Sequence, residues 1–212
     1  MRYRTALLAG GFLLAAFDFL TPSTATAGDL QDPEWPCVQR KVPTVSIGMV
    51  WAGPEVASDD LSWKDDPEIS RLVPRLAARR RALEDAYIEI DRYAGGLGPN
   101  KNRKLTLLFV GLLQTIDRER REIMAGIERY ARKQESLSKE IKANLAELSE
   151  LRAVRTAAGA SPKRLQALEE QLTWETRVYD ERRQSLTYVC ESPVLLEQRI
   201  FGLSRHIMSH LD

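Results

Sequence analysis

RKLTLLFVGLLQTIDRERREIMAGIERYARKQESLSKEIKANLAELSELRAVRTA, residues 103–157, contains no proline and is dominated by Leu, Glu, Arg, Lys and Ala. All five are strong helix formers. Alternating steps of three and four from Leu113 reach Leu113, Ile116, Arg120, Ile123, Ile127, Tyr130, Gln134, Leu137, Ile141, Asn144, Leu148, Leu151 and Arg155. Nine of these thirteen are apolar or Tyr, the spacing of a coiled-coil seam with polar interruptions at Arg120, Gln134, Asn144 and Arg155. Off the seam, Asp117 with Arg121, Glu128 with Arg132 and Glu135 with Lys139 place an acid four residues before a base, which supports a solvated helix face.

The next five residues predict a reversal. Ala158-Gly159-Ala160-Ser161-Pro162 offers a glycine to end one helix, a serine to cap the next and a proline for its first turn. The same spacing then resumes at Leu165, Leu168, Leu172, Glu175, Tyr179, Arg182, Leu186 and Val189. Its phase carries past Pro193 to Leu196, Ile200, Leu203 and Ile207. Two matched stripes joined by a short turn predict an antiparallel hairpin. Folding at about residue 160 sets residue i opposite about 320 − i, with arms of roughly 70–80 Å at ~1.5 Å per residue. Glu175 and Arg182, like the polar interruptions of the first arm, are expected to set register.

The near end of the first arm, LTLLFVGLL at 105–113, is apolar nearly all round. It is far too short to span a bilayer, so it needs cover from more than one neighbour. That cover is expected from residues 67–94. Asp66-Pro67-Glu68 is a helix start, followed by Ile69, Leu72, Val73 and Leu76 at helical spacing, with Pro74 expected to kink the helix. Leu83, Ala86, Tyr87, Ile90 and Ala94 mark a second short helix, ended by Gly95-Gly96-Leu97-Gly98-Pro99. These helices are too short to run the length of the hairpin, so a four-helix bundle is excluded.

Residues 28–66 carry Pro33, Pro36, Pro43 and Pro54 and three of the four tryptophans, Trp35, Trp51 and Trp63. The prolines predict an extended strap. The tryptophans either pack that strap on the helices or form a partner-binding surface. The predicted organisation is therefore all-α: a strap over 28–66, a short helical hairpin or head over 67–102, and a long antiparallel coiled-coil hairpin over 103–212 with its turn at 158–162.

Residues 1–27 read as a signal peptide. Arg2 and Arg4 precede an apolar run from Leu7 to Phe17, and Ala25-Thr26-Ala27 is a small-residue cleavage pattern. The apolar run stops at Asp18, short of a transmembrane span. Removing 27 residues from 212 leaves 185, and losing Arg2, Arg4 and Asp18 takes the formal charge from +1 to zero. That balance gives no electrostatic case for nucleic acid. The two cysteines, Cys37 and Cys190, fall in the remainder. An exported chain with two thiols is expected to join them in a disulfide bond.

Catalytic chemistry finds little support. Gly95 to Lys101 lacks the second glycine and the preceding strand of a phosphate loop. The run Arg79-Arg80-Arg81 reads as a solvated face, with an anionic surface as the sharper alternative. His206 and His210 are the only histidines. Four apart, they share a helix face and form a weak metal-site candidate with Asp212 or Met208 nearby. No cofactor is expected. The sequence predicts a non-catalytic periplasmic envelope protein serving as a structural or adaptor scaffold for another envelope protein. The alternatives are a holdase-type chaperone and a metal- or small-ligand-binding protein. A seam this long can also pair with a second copy as a homo-oligomer.

Overall fold

The computed structural model describes residues 34–56, 58–158 and 162–212, with the side chains of 57–61 and 154–161 outside that description. Residues 1–27, expected to be a signal peptide, and residues 159–161 of the expected turn thus lie outside the described residues. All regular structure among the described residues is helical. It comprises α1 (Ile47–Val50), a 3-10 segment (Ser58–Asp65), α2 (Pro67–Ala77), α3 (Leu83–Gly95), α4 (Lys101–Ala158) and α5 (Pro162–Met208). The chain is a long α4/α5 hairpin on a small helical head.

The start of α2 is dictated by its sequence. Asp66 Oδ1 accepts hydrogen bonds from the backbone N–H of Glu68 (3.0 Å) and Ile69 (3.1 Å), with Pro67 at the first helical position. Burial pushes the Asp66 carboxyl up, but the paired Lys104 ammonium and these two N–H groups outweigh it and hold it below the ordinary carboxylate value. Pro74 lies inside α2 without ending it, and the helix closes one turn later at Ala77. The buried Arg199 of α5 supplies that closure. Its guanidinium donates to Leu76 O at 2.8 and 2.7 Å and to Arg81 O at 2.8 Å. A cation there satisfies the last-turn carbonyl of Leu76 and complements the helix dipole.

The apolar base of α4 is covered from three sides. Leu105, Leu108, Phe109 and Leu112 are fully buried, packed with Ile69, Val73 and Leu76 of α2 and with Leu196, Ile200, Leu203 and Ile207 of α5. The strap supplies the third side. Trp51 stacks on Phe109 with ring centroids 4.1 Å apart, and Trp63 Nε1 donates to Gln114 Oε1 at 2.9 Å. Gly111 permits this approach, since a Cβ there would lie 2.6 Å from Val73 Cγ2 and 2.9 Å from Trp63 Cδ2. The strap is less extended than its prolines suggested, because α1 and the 3-10 segment interrupt it. Local i→i+3 and i→i+4 bonds such as Met49 N to Ser46 O are compatible with prolines outside those turns.

Beyond the head, α4 and α5 pack on one another along the predicted seam. At ~1.5 Å per residue, their 58 and 47 residues give about 87 and 70 Å. Asn144 Nδ2 donates to Glu175 Oε2 (2.9 Å), and Arg120 Nε donates to Glu197 Oε1 (2.6 Å), both pairs close to the expected register. Gln134 Nε2 reaches Tyr179 O at 3.1 Å. Arg120, Gln134 and Asn144 thus find partners across the seam, although Arg120 Nη1 and Gln134 Oε1 are buried without one. Val189 departs from the expected pattern: it is 41% exposed, while its neighbour Cys190 turns inward.

Cys190 faces the strap because it is bonded to Cys37, with an S–S distance of 2.01 Å across a sequence separation of 153. Trp35 and both cysteines pack with Met124 and Ile127. Lys41 to Glu128 (2.6 Å), Arg132 to Glu34 (2.7 Å) and Val45 N to Asp117 Oδ1 (2.9 Å) fasten the rest of the strap along α4.

Two glycines of α4 should respond oppositely to a larger side chain. Gly111→Val should lower stability by about 1–3 kcal/mol by overpacking, whereas Gly126→Ala should raise it by about 0.5–1 kcal/mol. The contrast arises because a Cβ at Gly126 would make only an ordinary contact, 3.8 Å from Arg129 Nη2; urea midpoints on the two variants check the opposite signs. The chain-entropy model assigns a bridge of this span up to about 5 kcal/mol. Cys37→Ser/Cys190→Ser should therefore reduce Tm by as much as roughly 10–20 °C, read by far-ultraviolet circular dichroism.

Candidate functional site

The structure places the sequence-derived candidates unequally. Trp35, Trp51 and Trp63 are 7%, 8% and 7% exposed, so the strap tryptophans fill the interior and present little surface to a partner. Their indole N–H groups are used internally, Trp35 donating to Gln39 O at 2.6 Å and Trp51 to Pro54 O at 2.8 Å. Of the cationic run, Arg81 pairs with Glu89 at 2.7 Å and Arg79 with Glu119 at 3.6 Å. Glu89 also binds Arg75, joining α2 to α3.

The fourth tryptophan behaves differently. Trp174 of α5 is 63% exposed, Tyr188 is 75% exposed and Leu195 is 55% exposed. They are separated by two heptads and one, which at 3.6 residues per turn confines them to an arc of about 60° on the side of α5 turned away from α4. Their heptad phase was visible in the sequence, but a second apolar stripe beside a seam also fits a wider buried face. The structure distinguishes the two by showing that nothing among the described residues covers it.

The two histidines come together with a third group that sequence spacing could not supply. His206 Nε2 and His210 Nε2 lie 2.6 and 2.8 Å from the same atom, Asp91 Oδ1 of α3. The three donor atoms all lie within 4.8 Å of one another. Hydrogen bonds from His206 and His210 hold the Asp91 carboxyl below its ordinary value. Tyr87, one turn before Asp91 on α3, stacks on the His206 ring at 4.2 Å. The residues first suspected as co-ligands are engaged elsewhere. Asp212 pairs with Lys101 at 3.1 Å, and Met208 Sδ accepts from Ala52 N at 3.2 Å. Asp91 is 115 residues from His206, and the long hairpin between them erases any local signature.

A groove of about 360 Å³ between α2 and α3 is lined by Glu68, Arg71, Arg75, Glu89, Arg92 and Tyr93, among others. Its arginines suggest an anion, but Glu68 and Glu89 offset two of the three charges, and Arg75 already holds Glu89. Burial pushes the Tyr93 phenol well up, so its hydroxyl stays a neutral donor, buried without a partner. No helix among the described residues is long and apolar enough to cross a membrane. The chain matches no protein-family model, and no curated protein or solved structure is significantly similar to it.

Trp51→Ala should cost about 3 kcal/mol or more by emptying a core position. Trp174→Ala, on an exposed face, should stay within about 0.5 kcal/mol of the parent. Chemical denaturation of both variants measures the difference.

Proposed function

We propose that this chain is an exported, non-catalytic scaffold of the bacterial envelope, active in the periplasm, that works by binding another protein along the outer face of its hairpin. The observation that carries this reading is the line of Trp174, Tyr188 and Leu195 on α5, exposed by more than half each. Large aromatic side chains on a rigid helix lose little conformational entropy on contact and are the commonest anchors at interfaces. A partner helix with apolar residues at matching heptad spacing fits such a line.

The N-terminal signal pattern and the Cys37–Cys190 bridge support export, because disulfides persist in oxidising compartments. The near-neutral charge favours a specific partner over the broad electrostatic capture of unfolded clients expected of a holdase.

Trp174→Ala/Tyr188→Ala should keep full helicity and lose partner capture at least tenfold. The check is site-specific photocrosslinking from position 181, between the two, in cells. Retention of every crosslinked product by the double variant sinks the proposal. A product of twice the chain mass that is sensitive to the same substitutions would identify the partner as a second copy.

A further inference from the structure

We propose that Asp91, His206 and His210 form a binding site for a divalent metal ion of the Zn²⁺ class, which ties α3 to the end of α5. The proposal is independent of the hairpin's outer face. It rests on convergence: both histidines of the chain aim Nε2 at one carboxylate oxygen carried by a different helix. Two imidazoles and one carboxylate suit Zn²⁺, Ni²⁺ or Cu²⁺, whereas Mg²⁺ and Ca²⁺ prefer oxygen donors alone. Three protein ligands leave a coordination position for water.

The ligand carriers are held firmly. Ile90, Leu203 and Ile207, which flank the three ligands in sequence, are completely buried. Gly202 lets the helices approach closely, since a Cβ there would lie 2.7 Å from both Leu83 Cδ2 and the Tyr87 hydroxyl. Tyr87 in turn fixes the plane of the His206 ring. The ligands themselves remain accessible: His206, His210 and Asp91 side chains are 24%, 27% and 49% exposed. An ion can therefore enter from solvent without opening the core.

The adjustment required is small. At metal–ligand distances of about 2.0–2.1 Å, tetrahedral donors stand roughly 3.3 Å apart. The observed 2.6 and 2.8 Å must widen by roughly half an ångström and the two nitrogens, within 4.8 Å of each other, must settle at the same spacing, both within the reach of side-chain torsions. The imidazoles coordinate as neutral ligands through Nε2. Each Nε2 proton moves to Nδ1 or, from an imidazolium, leaves to solvent.

The test uses the full chain, purified without a histidine tag and stripped with EDTA, titrated calorimetrically with ZnCl₂ alone. The expected result is one Zn²⁺ per chain with micromolar or tighter affinity, no heat from Mg²⁺ or Ca²⁺, and a Tm increase of about 5–10 °C at saturating Zn²⁺. Asp91→Asn and His210→Ala should each weaken binding at least tenfold. Asp91→Asn keeps an acceptor oxygen for both histidines, so it carries the test if His210→Ala fails to fold. Two results would overturn the site: no binding by the parent chain at about 100 μM Zn²⁺, or parent-like affinity in Asp91→Asn, which would leave an adventitious histidine pair.

Discussion

The architecture depends on burying the base of α4. Leu105, Leu108, Val110 and Leu113, all buried, point in several directions around one helix, and a single partner helix can cover only part of that circumference. Each such side chain contributes about 1.5–3 kcal/mol when removed from water. The exposed ion pairs farther along the hairpin, such as Arg152 with Glu169 and Arg164 with Glu147, contribute about 0–1 kcal/mol each. The comparison explains why α2, the strap and the end of α5 all gather at one end. It also explains why the rest of the hairpin manages with a single seam.

That seam combines apolar contact with polar matching. Asn144 meets Glu175, which also accepts from Gln171 at 2.7 Å. Sliding one helix by a turn would break the Asn144–Glu175 bond and leave a half-buried amide and one oxygen of a buried carboxylate unpaired, a cost of about 1–3 kcal/mol per neutral group and more for the charge. Tyr130 likewise reaches Arg182 O at 3.0 Å. The polar positions therefore offset their weaker burial by fixing which residues face each other.

Much of this was legible because its causes are local. The seam, the Asp66 cap, the short helices and the reversal before Pro162 each rest on residues within a few positions of one another. The strap's helical turns were harder to read, since four prolines dominate its composition. The inward rotation at Cys190, which moves Val189 out of the seam, depends on a strap residue 153 positions away. Arg199 as the closure of α2, Asp91 as the companion of the histidines, and Trp174 as an uncovered side chain are tertiary facts. Each requires knowing which surfaces meet after the hairpin folds back, and spacing along one helix does not contain that information.

The bridge between Cys37 and Cys190 also sets how the chain transmits mechanical load. If the two ends are pulled apart, the covalent path runs along the strap to Cys37, crosses to Cys190 and continues through the last part of α5. The 153-residue separation lies off that path. At ~3.3–3.6 Å per extended residue, about 500 Å of contour is withheld until the bond is reduced. Tension applied at the ends therefore bypasses α2, α3, α4 and most of α5. The hairpin beyond Cys190 hangs from the line of force as a side arm.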